Sequence, residues 1–148
     1  MKKLVLIIAL FASVIAIAQE VNTQKGYAAE GYDVVAYFNA EALKGEKQFT
    51  TTHQGVKYKF ATQTNLNAFL ENPNKFTPQY GGYCAYAVAT SSKKVGINPK
   101  SFQIKDGKLY LFYDTIFADT LEKWNEENPE VLQQKADTNW EKIAMKKN

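Results

Sequence analysis

The chain contains one cysteine, Cys84, which follows a diglycine and lies between tyrosines in the segment YGGYCAY of residues 80–86. Glycine adopts positive φ readily and lets backbones approach closely, so Gly81 and Gly82 allow the chain to turn sharply. Such a turn would bring Cys84 to the first turn of a helix, where free amides and the helix dipole favour a thiolate. A thiolate binds soft metal ions and attacks electrophiles. This segment therefore predicts a reachable, ionised sulfur.

Few other side chains are available to complete a metal site with that sulfur. The chain has one histidine, His53, and two methionines, Met1 and Met145. A thiolate with an imidazole suits Cu(I) or Zn(II) better than magnesium or calcium, which need clustered carboxylates. Because a closed four-ligand site needs more donors, the sequence predicts low-coordinate Cu(I), with Zn(II) as the other ion, or a site shared between two chains. The predicted metal ligands are Cys84 and His53.

Tyrosines and turn residues are predicted to form the pocket around this sulfur. Phenol hydroxyls would close the pocket and supply hydrogen bonds, and a turn aspartate would bond to its own backbone as an Asx turn. The predicted supporting set is Tyr80, Gly81, Gly82, Tyr83, Tyr86, Asp33 and Tyr37.

A structural interpretation explains the same residues without a metal. Cys84 is then a small buried side chain, the glycines permit tight packing, and His53 lies solvated at a hairpin turn. The chain would be a metal-free binding or interaction module, with nine tyrosines and nine phenylalanines forming an aromatic pocket for a small ligand or a protein partner. A redox-active thiol is a third interpretation.

Enzyme chemistry is not favoured by the motifs of the chain. A Cys–His nucleophile pair needs a third group to orient its base, and no residue in the sequence marks that group. Neither H-E-x-x-H, nor a glycine-rich phosphate loop, nor G-x-S-x-G occurs, so the zinc-protease, nucleotide and serine-hydrolase signatures are missing.

The N-terminal segment MKKLVLIIALFASVIAIAQE predicts a signal peptide over residues 1–18. Two lysines precede an apolar stretch, and Ala16-Ile17-Ala18 supplies the small residues of a cleavage site before Gln19. The apolar stretch of about 15 residues is shorter than the roughly 20 that span a membrane. The prediction is an exported protein, periplasmic or secreted, without membrane insertion after cleavage.

The residues after this segment have a nearly balanced charge. They carry 16 lysines against 15 acidic residues, and arginine is absent from the chain. Without clustered charge or arginine, the best bidentate ligand for phosphate and guanine, nucleic acid is not a predicted partner. About 130 residues form one domain, which we place at 31–146 after a flexible lead-in at 19–30.

The order of elements predicts an α+β fold: a small antiparallel sheet of hairpins packed against helices, with a C-terminal helical pair. Alternating apolar residues predict two hairpins, and helical spacing predicts the remaining segments. The expected elements are a short strand or turn-strand at 31–38, a hairpin of FTTTH with VKYKFA turning at Gln54-Gly55, a helix at 64–73 capped by Thr64, a short helix from Tyr83, a surface loop at 91–100, a hairpin at 102–113 with a type I′ turn at Asp106-Gly107, and helices at 117–127 and 130–144 whose tryptophans pack on the sheet. No internal repeat is evident.

Five segments together resemble the YHS domain family, specifically its exported single-domain bacterial branch. They are GYDVVAYF, GVKYKF, NPNKFTPQYGGYCAYAVA, DGKLYLFY and ADTNWEKI, and the resemblance extends over roughly residues 27–143. It implies a small cysteine-containing domain of the kind also found in copper-transporting ATPases and some hydroxylases, with a proposed metal-binding role.

The resemblance matches Cys84 to the family's cysteine and residues 80–83 to its flanking motif. Many metal-associated relatives carry a second cysteine in a D-P-V-C opening, whereas the corresponding GYDVV of this chain has none. The resemblance therefore implies an exported accessory domain that binds or senses a soft metal ion, copper above all, through one cysteine and not through two thiolates.

Overall fold

The computed structural model describes residues 19–147, and the predicted signal peptide lies outside the described residues. These residues form an α+β domain with three two-stranded antiparallel sheets. The strands are β1 (Glu46–His53), β2 (Val56–Phe60), β3 (Asn98–Lys105), β4 (Lys108–Phe112), β5 (Asp114–Thr115) and β6 (Ala118–Asp119); the helices are α1 (Gln63–Glu71), α2 (Pro73–Phe76), α3 (Ala85–Ser91), α4 (Thr120–Glu126) and α5 (Pro129–Ile143). No described helix is both long enough and apolar enough to cross a membrane.

Both predicted hairpins are confirmed, and both turn through two residues with positive φ. Gln54 and Gly55 have φ of 50° and 78° between β1 and β2, and Asp106 and Gly107 have φ of 50° and 70° between β3 and β4. Positive φ at both central residues is the signature of the type I′ turn. Strand β3 begins at Asn98, inside the segment predicted as a surface loop.

Strand β4 contributes to both hydrophobic cores of the domain. Leu109 and Leu111 face the first core, whereas Tyr110 and Phe112 face the second, and all four are at most 1% exposed. Alternate side chains of a strand point to opposite faces, so β4 has no polar face. The first core contains Val34, Tyr37, Phe60, Phe69 and Cys84, and the second contains Val88, Trp124, Leu132 and Ala136.

The segment at 31–38 was predicted as a short strand or turn-strand, and the strand is wrong whereas the turn at Asp33 is present. Only Tyr32 forms a bridge, to Lys44, and the chain continues as a turn and a 3₁₀ helix at Ala36–Asn39. The physical reason lies in Asp33, whose side-chain oxygen accepts hydrogen bonds from the N–H groups of Val35 and Ala36. Those donors are therefore used locally and cannot join a sheet.

The predicted helix at 117–127 starts later than expected. Residues Asp114–Asp119 form the small β5–β6 hairpin, and Asp119 then caps α4 by accepting from the Glu122 N–H at 2.9 Å. Phe117, expected on the apolar face of that helix, is 91% exposed. Helix α5 matches its prediction at 130–144 closely, while α1 is capped by Thr62 and not by Thr64.

The two tryptophans pack in different places. Trp124 is fully buried against Tyr110 and Phe112 of β4, as predicted. Trp140 instead packs against Tyr80 and Tyr83. Only one of the two therefore holds a C-terminal helix to a sheet.

Asp33 connects three segments through hydrogen bonds to a fully buried carboxylate. Beyond its bonds to Val35 and Ala36, its other oxygen accepts from the Ala61 N–H at 2.8 Å and from the Asn65 side-chain amide at 2.7 Å. These donors lie in the turn at 34–36, after β2 and in α1. These bonds give both carboxylate oxygens partners and fix the hairpin and the helix relative to the turn.

We expect Asp33→Asn to lower the free energy of unfolding by about 2–4 kcal/mol, because the amide loses the charge and presents N–H groups to N–H donors. Urea denaturation monitored by circular dichroism measures this loss. The matched control is Asp106→Asn, which retains a good type I′ turn residue and should stay within about 0.5 kcal/mol of the parent. Equal stability of the two variants would contradict the role given to Asp33.

Candidate functional site

The diglycine is part of a left-handed turn. Tyr80, Gly81 and Gly82 have φ of 53°, 59° and 76°, a region in which glycine is unstrained and most other residues are not. A Cβ placed on Gly81 would also lie 2.6 Å from the Glu20 carbonyl oxygen and 3.2 Å from the Trp140 ring. The backbone angle of Gly81 therefore favours glycine, and the segment packed against it requires glycine, because a Cβ would collide with a backbone oxygen.

That segment is the chain just before the domain, which was predicted to be a flexible lead-in. Asn22 is buried, donates its backbone N–H to the Gly81 carbonyl at 2.8 Å and donates its side-chain amide to the Gly82 carbonyl at 3.2 Å. The Glu20 carboxylate pairs at 2.5 Å with Lys94, whose side chain is only 2% exposed. Residues 20–22 are therefore built into the domain, contrary to that prediction, because the diglycine exposes two carbonyls to them.

The chain that follows this turn brings Cys84 into the hydrophobic core. Cys84 is fully buried and precedes α3 as its N-terminal cap residue, although its side chain makes no capping bond. Its sulfur lies 3.4 Å from the Thr120 hydroxyl oxygen, and that hydroxyl donates its own proton to the Tyr113 carbonyl. Because a hydroxyl has a single proton, the geometry favours the sulfur as donor in this contact. The geometry favours packing over a reachable thiolate.

The left-handed conformation of Tyr80–Gly82 occurs a second time, in the three residues before Tyr32 and Asp33. Ala29, Glu30 and Gly31 have φ of 50°, 54° and 84°, after which Tyr32 is extended and a helical turn follows. The two copies share only Gly-Tyr at equivalent places, in GYD and GYC, which is why no repeat is evident in the sequence. Asp33 and Cys84 occupy equivalent positions, and of the two only Asp33 uses its side chain to cap the turn that follows.

The predicted pocket tyrosines have structural partners. Tyr37 is fully buried, donates to the Pro99 carbonyl at 2.6 Å and packs its ring 4.6 Å from that of Phe102. The hydroxyls of the other three bond to carboxylates. These pairs are Tyr80 with Asp137 at 2.8 Å, Tyr83 with Glu20 at 3.3 Å and Tyr86 with Glu127 at 2.8 Å. These hydroxyls are therefore engaged in holding elements together.

His53 lies at the end of β1, against the first core, and lines a surface cleft. Its ring meets Phe69 edge-on with centroids 5.8 Å apart, and its Nε2 atom is buried without a hydrogen-bond partner among the described residues. The cleft has a volume of about 150 Å³ and is lined by Gln19, Val21, His53, Gln54, Val56, Tyr58, Asn74, Thr77, Pro78 and Gly81. We refer to it as the His53 cleft.

The character of this lining is mixed and uncharged. Apolar side chains come from Val21, Val56, Tyr58 and Pro78, polar groups come from amides, a hydroxyl and the imidazole, and no lysine or carboxylate takes part. Buried polar groups in folded proteins are nearly always hydrogen-bonded. The unpartnered Nε2 of His53, a residue that lines the cleft, is an exception to that rule.

Sequence reasoning identified only His53 and Gly81 of this lining as site residues. The others come from the N-terminal segment, the β1–β2 turn, β2, α2 and the loop after α2. The first and the last two of these are distant from His53 in sequence. The one available signal is the turn-rich stretch NPNKFTPQYGG, where the chain exposes polar groups between prolines. That pattern predicts a loop and cannot indicate what the loop faces.

The described residues do not assemble the predicted metal donors. Within residues 19–147 no three His, Cys, Asp or Glu side chains are grouped as a metal ion would need. Cys84 is sealed in the core, and it is not among the residues that line the His53 cleft. Zinc sites draw their ligands from such groups, and for the sulfur to meet an ion the packing around it would have to open. Copper or zinc binding through Cys84 and His53 thus stays a prediction that this geometry does not support.

No protein-family model matches the chain, and no curated protein or solved structure shows significant similarity to it. The resemblance to the YHS domain family stays a prediction for the same reason. Function is therefore inferred from the site itself.

We expect Cys84 in the folded protein to react with a thiol reagent roughly a thousandfold or more slowly than a free cysteine, because reaction requires opening of the core. Absorbance of the released thiolate from an aromatic disulfide reagent measures this rate. An exposed thiol at a neighbouring helical position, Thr90→Cys in a Cys84→Ala background, is the control and should react fast. Rapid, pH-dependent labelling of Cys84 in the native protein would instead support the reachable thiolate.

The buried tyrosines predict a loss of stability at alkaline pH. Burial raises the pKa of Tyr58 and Tyr110 from 10.0 to about 12, and burial together with the nearby Glu20 carboxylate raises that of Tyr83 to about 12. Burial likewise raises the pKa of Tyr37 and Tyr80. Folding favours the neutral phenols, so their contribution is complete below pH 10 and is lost as pH rises through 10 to 12.

Urea denaturation at successive pH values above neutrality measures this effect, and we expect the free energy of unfolding to fall steeply above about pH 10. Phenolate absorbance should rise together with the loss of native circular dichroism for the buried tyrosines. Full ionisation of all nine tyrosines in a still-folded protein would contradict this prediction.

Proposed function

We propose that this chain is a binding domain that takes a small uncharged ligand in the His53 cleft. The observation that carries the proposal is the buried Nε2 of His53, which has no hydrogen-bond partner among the described residues and belongs to a residue that lines the cleft. A cleft with apolar walls and a few polar groups is the usual form of a small-molecule site. This is the metal-free alternative of the sequence analysis, with the cleft in place of an aromatic pocket.

The volume of the cleft limits the size of the ligand. At about 150 Å³ it equals a cavity that holds benzene and is smaller than the roughly 300–1,000 Å³ of drug-sized pockets. The ligand class is therefore a molecule of about six to ten non-hydrogen atoms. Because no charged side chain lines the cleft, its side chains offer an ion no compensation for lost hydration, which favours an uncharged ligand.

The polar groups of the lining determine which ligand chemistry fits. A hydroxyl or N–H on the ligand would give the His53 imidazole the partner that it lacks, while Gln54 and Asn74 offer amide groups. The apolar remainder of the ligand would lie against Val56 and Tyr58. A ring of benzene size with one hydrogen-bonding substituent meets both requirements, and phenol is the simplest probe of that kind.

Phenol is expected to shift the backbone signals of Gln54, Thr77 and Gly81 in a proton–nitrogen correlation spectrum. In His53→Phe the ring shape is retained and the nitrogen is lost, so phenol should bind roughly fivefold more weakly, the effect of one hydrogen bond. Thr52→Ala, at the neighbouring exposed position of β1, is the matched control and should bind as the parent does.

Binding of toluene tests whether affinity depends on the hydrogen bond to His53 or only on apolar filling of the cleft. Toluene matches phenol in size but lacks the hydroxyl, so it should bind the parent protein more weakly than phenol does. Its affinity for His53→Phe should be no lower than its affinity for the parent protein, because it makes no hydrogen bond to lose. Absence of shifts at the cleft with phenol, or equal binding of phenol to parent and His53→Phe, would contradict the proposal. Cu(I) uptake that is lost in Cys84→Ser would favour the metal hypothesis instead.

A further inference from the structure

The β5–β6 hairpin presents two large apolar side chains to solvent. Ile116 is 93% exposed and Phe117 is 91% exposed, while no other large apolar side chain in residues 19–147 exceeds 57%. We call this pair the apolar tip. Single exposed apolar residues are common on protein surfaces, but adjacent, almost fully exposed ones mark interaction sites.

The turn itself does not require these residue types. Ile116 and Phe117 are the two central residues between the paired Thr115 and Ala118, and neither has positive φ. Glycine, asparagine, aspartate and proline are the residues that stabilise such turns, whereas β-branched and aromatic residues do not. Residues that do not suit their local structure are expected at functional sites.

Acidic residues flank the apolar tip, and they hold the hairpin in place. Asp114 and Asp119 are paired across the strands. Asp114 accepts from the Asn98 side chain at 3.3 Å, and Asp119 caps α4. The hairpin therefore presents an apolar end with negative charge at its base. Anionic lipid surfaces attract lysine and arginine, so they would repel this negative charge. The charge and the apolar end together favour a partner with an apolar pocket and a basic rim.

The chain carries such a pocket on its own surface. Val95 and Ile143 provide the apolar lining of a hollow of about 370 Å³, and Lys93, Lys146 and Lys147 border it. We call it the lysine-rimmed hollow. None of these three lysines takes part in an ion pair within the part of the chain that the structure describes. Its volume is more than twice that of a benzene-sized cavity, which leaves room for the phenylalanine ring and the isoleucine side chain.

We propose that the apolar tip of one copy of this chain docks in the lysine-rimmed hollow of a second copy. Ile116 and Phe117 enter the hollow, and Asp114 and Asp119 meet the lysines of its rim. The two surfaces differ, so a single contact leaves one tip and one hollow free. Two copies that exchange tips form a closed dimer, and contacts with successive copies give rings or open chains. Two side chains bury far less area than the roughly 1,200–2,000 Å² of a stable interface, so the association is weak and concentration-dependent. It uses residues outside the His53 cleft and does not depend on the function proposed there.

Sedimentation velocity of the purified protein from micromolar to millimolar concentration tests this proposal, with the same N-terminus verified by intact mass in every variant. The parent should show a rising mean sedimentation coefficient. Ile116→Thr combined with Phe117→Ser removes the tip, and Lys146→Glu combined with Lys147→Glu reverses the rim. Each double variant should weaken self-association about tenfold or more, as expected for central contacts.

A mixture of the two double variants gives the decisive result. The tip variant retains an intact hollow, and the rim variant retains an intact tip. A head-to-tail contact therefore predicts that the mixture forms a one-to-one pair and nothing longer. Loss of association in the tip variant alone would indicate a tip-to-tip contact and would overturn the proposal.

Matched controls keep the result interpretable. Leu70→Ser removes a different exposed apolar side chain, and Lys57→Glu with Lys108→Glu makes the same charge change at exposed lysines outside the hollow. Both should associate as the parent does. A parent that stays monomeric at all concentrations would overturn the proposal, and binding of that monomer through the apolar tip to phosphatidylglycerol vesicles would assign the tip to a membrane instead.

Discussion

The buried carboxylate of Asp33 is the interaction on which the arrangement of the first core depends. It accepts four hydrogen bonds from the turn that it begins, from the residue after β2 and from α1. These bonds fix the β1–β2 hairpin against α1, and that contact places the His53 ring edge-on to Phe69. A buried charge without its donors would be strongly destabilising. The geometry of the His53 cleft therefore depends on a residue that does not line it.

The diglycine and the cysteine have structural roles of the same kind. Gly81 and Gly82 turn the chain left-handed and offer their carbonyls to Asn22, which attaches the N-terminal segment to the wall of the cleft. Cys84 then lies in the first core and contacts Thr120 at the start of α4. A small polarisable side chain suits such a junction. The motif that drew attention to metal chemistry in the sequence is thus explained by packing in the described structure.

The groups that could bind a ligand or a partner are those that the fold leaves without a hydrogen bond or without burial. The predicted pocket tyrosines are bonded to carboxylates or to a carbonyl. Within residues 19–147 three buried side-chain atoms lack a hydrogen-bond partner, namely His53 Nε2, Gln103 Oε1 and Trp124 Nε1, and of these residues only His53 lines the cleft. The apolar tip is the most exposed large apolar surface in the same range. Groups of this kind raise the free energy of the isolated molecule, and a ligand or a second copy would lower it.

Most of the local structure of this protein follows from residues that are neighbours along the chain. Alternating residues and the Gln54-Gly55 and Asp106-Gly107 pairs specify both hairpins, and helical spacing specifies α5, because turn chemistry and periodicity are properties of neighbouring residues. Tertiary structure decided whether Asp33 begins a strand or a capped turn, whether Cys84 is reachable and which distant segments line the cleft with His53. Those outcomes depend on partners far along the chain, such as Ala61, Asn65 and Thr120, and no local pattern records where such partners will lie.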